Sequence, residues 1–108
     1  MPIYNKLVRD NIPVIIEKSG KTFTTRLLND TEYITEINNK MGEELAEYLE
    51  TTTTGDALEE LADLLELIHA AAAYHGSTFE ELEEVRVDKA EKRGGFNERI
   101  FLLEVEDD

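Results

Sequence analysis

The chain has 108 residues, with 25 Asp and Glu against 11 Lys and Arg, no Cys, and a formal charge of −14. That length holds one domain, residues 1–108, with no room for a second core. The charge repels polyanions and disfavours binding to a nucleic acid polymer, while the missing cysteine excludes disulfides, thiolate zinc sites and cysteine nucleophiles. The longest apolar stretch, Leu64 to Tyr74, is broken by Glu66 and His69, too short and too polar to span a bilayer. The start of the chain lacks the apolar run of a signal peptide, so the default expectation is a soluble cytoplasmic protein.

Asn11 with Pro13 in the first turn predicts a short helix to about Lys18, ended by Gly20. Thr22 to Leu28 has the Thr and Phe content of a short strand. Asp30 is expected to cap a long helix, because Tyr33, Ile34, Ile37, Met41, Leu45, Tyr48 and Leu49 recur at helical spacing. Gly42 inside that pattern allows a bend and close packing. The threonines from Thr51 to Thr54, with Gly55, stop it. Asp56 with Glu59 is read as the cap of a third helix through about Tyr74, and Ser77 with Glu80 as the cap of a fourth, ending at Gly94 and Gly95. Arg99 to Val105 is an option for pairing with Thr22 to Leu28 as a two-stranded ribbon. The fold class is therefore all-α, about four helices with a possible small β-ribbon.

Two stretches carry chemistry: Glu43-Glu44-Leu45-Ala46-Glu47 and Glu60-Leu61-Ala62-Asp63. At about 100° per residue, Glu44 falls between Tyr33 and Ile37 on the helical wheel, inside the apolar arc, and Glu47 lies at its edge. Glu60 falls between Leu67 and Leu64, with Asp63 at the edge, whereas Glu43 points farther out. A short loop centred near Thr53 and Thr54 makes the two helices antiparallel neighbours. About that centre, Glu44 mirrors Asp63 and Glu47 mirrors Glu60, so four carboxylates are expected on one patch. Two carboxylates about 5 Å apart repel by roughly 3 kcal/mol at an effective dielectric near 20. Either some are protonated or cations sit among them. An all-oxygen cage suits Mg²⁺ or Mn²⁺, which keep positions open for water and substrate phosphate oxygens. The plainer alternative is a solvated acidic helix pair: a non-enzymatic partner-binding or regulatory module.

The pattern Glu-Glu-x-x-Glu, a loop, then Glu-x-x-Asp resembles the signature of the all-α nucleoside triphosphate pyrophosphatases, the MazG-like superfamily. Tyr4-Asn5-Lys6-Leu7-Val8-Arg9-Asp10-Asn11-Ile12-Pro13 and Lys92-Arg93-Gly94-Gly95-Phe96 are similar to the N- and C-terminal motifs of its phosphoribosyl-ATP pyrophosphohydrolase-like branch. The resemblance implies a helical bundle with Mg²⁺ between two facing helices. It further implies hydrolysis between the α- and β-phosphates of a nucleotide, giving a monophosphate and pyrophosphate. By motif position, Glu44, Glu47, Glu60 and Asp63 would be metal ligands, and Glu43 or Glu44 would assist catalysis. Asn11 and Val14 depart from the basic and acidic residues of that branch, which bears on substrate preference rather than on metal binding.

Arg86, Lys89, Lys92 and Arg93 gather on the fourth helix. They either complement its dipole and pair with nearby acids, or line a rim in which Lys89, Lys92 and Arg93 receive the polyphosphate. Lys6 and Arg9 serve the same end or tether their segment through salt bridges, Arg9 beside Asp10. Glu66 and His69 have di-iron spacing, but the second copy of that motif is missing. A hairpin in so short a chain leaves apolar surface uncovered, notably around Ala70 to Tyr74, which predicts a homodimer or a higher homo-oligomer.

Overall fold

The computed structural model describes residues 2–107 and contains four helices: α1 (Ile12–Lys18), α2 (Asp30–Glu50), α3 (Thr54–Tyr74) and α4 (Phe79–Arg93). The fold is all-α, and no strand occurs among the described residues. Thr22 to Leu28 and Arg99 to Val105 therefore do not form the ribbon offered by their composition. Phe101 and Leu103 are 85% and 82% exposed, so the second segment has no face to pack on, whereas in the first Phe23 and Leu28 are half-buried and Leu27 is 96% exposed. A two-stranded ribbon without such a face is marginal in water.

Short side chains set the starts of α2, α3 and α4, each one to three residues from the residue expected to do so, whereas Asn11 precedes α1 without a side-chain capping bond. Asn29, not Asp30, caps α2: its Oδ1 accepts the Glu32 N–H at 2.9 Å, and the Glu32 carboxylate accepts the Asn29 N–H at 3.2 Å. Thr53, not Asp56, caps α3 by accepting the Asp56 N–H at 3.1 Å. Thr78, not Ser77, caps α4 through the Glu81 N–H, while the Ser77 hydroxyl donates to the Glu81 carboxylate. In each case a side-chain oxygen satisfies an amide that the first turn leaves unpaired. Gly94, at φ 82°, ends α4 in the left-handed region that glycine enters at no steric cost. α2 runs unbroken through Gly42, where a Cβ would meet open space, so no neighbour approaches closely there.

Packing is concentrated in one antiparallel hairpin, α2 against α3, and α4 touches α3 sparsely, with the Phe79 ring stacked on His69 at 3.9 Å. The far end of the hairpin is held by Tyr33 and Tyr74, their ring centroids 6.4 Å apart. Among the described residues only Ile37 is a buried apolar side chain. The radius of gyration is 18.6 Å, against about 13 Å for a compact chain of this length.

Candidate metal centre

The loop between α2 and α3 is three residues long, so the mirror point of the hairpin is Thr52 rather than the Thr53–Thr54 bond. Glu44 and Glu60 are each eight residues from Thr52 and thus lie level across the hairpin. Glu47 sits one turn nearer the loop on α2, and Asp63 one turn farther from it on α3. This shift decides which acids meet. Carboxylate oxygens of Glu44, Glu47 and Glu60 all lie within 4.8 Å of one another, and Asp63 is not part of that group.

Burial follows the wheel. Glu44 stands two turns from Ile37 on the buried stripe of α2 and is 8% exposed, Glu60 is half-buried, and Glu47 is exposed at the rim. Glu44 Oε2 and Glu60 Oε2 are buried and have no hydrogen-bond donor. A desolvated carboxylate oxygen without a donor is unfavourable, and native structures rarely tolerate two together. The Glu60 carboxyl is pushed up to about 7, first by the proton it can share with Glu44, then by burial, then by Glu47.

The donor set fits a hard divalent cation. All ligands are carboxylate oxygens, two of them lack a protein partner, and one side of the cluster opens to solvent at Glu47. Opposite ligands of an octahedral ion with bonds of about 2.1 Å lie roughly 4.2 Å apart. The three oxygens lie within 4.8 Å of one another, a limit of that order.

The remaining acids have cationic neighbours. Arg9 Nη2 donates to Asp63 Oδ1 at 2.6 Å, so Arg9 pairs across to α3 and not with Asp10 beside it. Exposed pairs of this kind contribute only about 0.2–1 kcal/mol. Glu43 faces Lys6 at 3.8 Å and Lys40 at 3.7 Å, in keeping with its outward wheel position. Lys40 also stands 3.9 Å from Glu44 Oε1, leaving Oε2 as the unpartnered oxygen. Lys40 went unnoticed in the sequence, although its i, i+3 and i, i+4 spacing to Glu43 and Glu44 was there to be read.

The cations of α4 are not joined to this centre by any ion pair among the described residues. Arg86 pairs instead with Glu83 one turn earlier, which holds the Glu83 carboxyl below its usual range. Lys89, Lys92 and Arg93 lie exposed toward the end of α4. His69 stacks on Phe79, an arrangement of packing rather than of metal ligation.

No family model matches the chain, and no solved structure matches it. A curated protein of Mycolicibacterium smegmatis, described as uncharacterized, is 44% identical over 54 residues, covering 50% of this chain and 55% of its own length. The chain thus spans about half the length of that relative.

Proposed function

We propose that the protein is a Mg²⁺-dependent nucleoside triphosphate pyrophosphohydrolase of the MazG-like kind, cleaving between the α- and β-phosphates. The observation that carries this reading is the convergence of Glu44, Glu47 and Glu60 from two helices around two buried, unpartnered carboxylate oxygens. Mg²⁺, or Mn²⁺ in its stead, would be held by these three, with Asp63 joining once Arg9 releases it. The ion would supply an acidified water and a Lewis acid for phosphate oxygens. Glu44 orients the cluster from its buried position, and Glu43, its neighbour on the same turn, is the carboxylate that accepts the proton of the attacking water. Lys89, Lys92 and Arg93 remain available to a polyphosphate only if another copy of the chain brings its α4 to the site.

A second copy is also part of the proposal. The accessible surface is 9871 Å², whereas a folded monomer of this mass exposes about 6,100 Å². The excess, roughly 3,800 Å² per chain, is larger than the about 1,000–2,500 Å² per partner that an obligate homodimer buries, so it leaves ample surface for one. Leu45, Leu49, Leu58 and Leu61 toward the loop end of the hairpin, with Leu65 at the middle of α3, are 41–72% exposed. These leucines, with the exposed Ala73 and Tyr74 of the expected Ala70 to Tyr74 stretch, are the apolar surface that a homodimer would cover. No helix among the described residues is long and apolar enough to cross a membrane, and the reading assigns the protein to the cytoplasm, where nucleoside triphosphates are made.

The test is a pyrophosphate-release screen across nucleoside triphosphates with and without Mg²⁺. Metal-dependent release of equimolar monophosphate and pyrophosphate supports the reading. No release from any nucleotide, with no effect of Mg²⁺ on the melt, favours an acidic partner-binding module instead.

A further inference from the structure

Two cations reach the acidic centre from outside the hairpin, and both come from the segment that precedes α1. Lys6 faces Glu43 on α2, and Arg9 donates to Asp63 on α3, so the segment spans both arms of the hairpin beside the three converging carboxylates. Asn5, just before Lys6, takes a positive φ of 46°, which turns the chain at this point. Leu7, between the two cations, is half-buried, while the side chains of Lys6 and Arg9 are 57% and 56% exposed. Two exposed ion pairs thus tie the segment to both arms of the hairpin.

We propose that Arg9, assisted by Lys6, is a phosphate-binding residue of this centre, exchanging Asp63 for a phosphate oxygen of the substrate when a divalent ion takes the carboxylates. The inference rests on the metal-centre reading above and adds the groups that hold the end of the polyphosphate away from the reacting phosphorus. Without a metal, the guanidinium offsets the acidic cluster. A divalent ion among the acids removes that attraction and places positive charge next to the guanidinium. An anion bridging the two then satisfies both, and the planar fork of arginine matches two phosphate oxygens. The solvent-exposed setting of the Arg9–Asp63 pair makes it readily exchanged.

The experiment measures two affinities by calorimetry, that of Mn²⁺ alone and that of inorganic tripolyphosphate in saturating Mn²⁺. Wild type, Arg9→Gln, Arg9→Lys and Arg26→Gln are compared; Arg26 pairs with Glu32 at the start of α2 and controls for loss of one positive charge. Arg9→Gln is expected to bind Mn²⁺ more tightly than wild type, because the competing cation is gone. Its tripolyphosphate affinity should fall about tenfold, as for loss of a charge-assisted bidentate contact. Arg9→Lys should fall between the two on tripolyphosphate. If wild type binds Mn²⁺ but Arg9→Gln matches Arg26→Gln in both titrations, the role given to Arg9 is wrong while the metal centre stands. If wild type binds no Mn²⁺, the metal-centre reading fails, and this inference with it.

Discussion

Glu44 and Glu60 face each other at the same height of the α2–α3 hairpin, and each turns a buried Oε2 toward a space with no donor. Glu47 completes the group from the rim. In a chain of charge −14, three acids gathered this way are unfavourable unless something positive or a proton stands among them.

A divalent ion should therefore stabilise the fold. Thermal melts with Mg²⁺ or Mn²⁺ at a hundred times the dissociation constant should show a gain near 2.7 kcal/mol, several degrees for a domain of this size. Glu44→Gln should abolish the gain. A melting temperature indifferent to the ion would contradict the assignment.

The metal-free protein should lose stability as pH rises from about 4.5 to 7. The folded state raises the Glu60 carboxyl from 4.5 to about 7, so it binds a proton there that the unfolded chain has released. More protons bound in the native state means a stability that falls with pH. The gain is fully present below about 4.5 and is lost as pH passes 7. Glu60→Gln should flatten this slope in melts taken across the range. Because the ion competes with that proton, Mn²⁺ affinity should rise over the same interval; a pH-independent affinity would remove Glu60 from the ligand set.

Glu47→Gln should abolish pyrophosphate release while circular dichroism keeps its helical signal, because Glu47 is exposed and takes no part in packing. Asp63→Asn should likewise abolish release, and it loosens the Arg9 segment as well. Wild-type turnover in both variants would sink the catalytic reading.

Much of this centre was legible in the sequence because it depends on angle. The wheel put Glu44 and Glu60 inside the apolar arcs, Glu47 at an edge and Glu43 outside, and the first two are the more buried while the last two are exposed. Height was harder to read. Taking Asp56 as the cap of α3 moved the mirror point by one and a half residues, enough to match Glu44 with Asp63 when it stands level with Glu60. Thr53 wins the cap because its hydroxyl reaches the Asp56 N–H three residues on, a contest between neighbouring polar side chains that spacing does not decide. The Arg9–Asp63 contact spans fifty-four residues and has no local signal at all. The missing ribbon reflects a tertiary lack: Arg99 to Val105 lies exposed along its length and packs on no surface that would hold it beside Thr22 to Leu28.

Self-association should depend on the leucines near the loop. Leu45→Glu with Leu61→Glu should shift the protein to a monomer in light scattering and lower its melting temperature, as expected when the surface they cover is returned to water. A monomeric wild type at micromolar concentration would contradict the homodimer.

The most direct measurement is anomalous diffraction from crystals grown with Mn²⁺. The account predicts a peak between α2 and α3 bonded to oxygens of Glu44, Glu47 and Glu60. Those three side chains turned apart into solvent, with no peak between them, would contradict it.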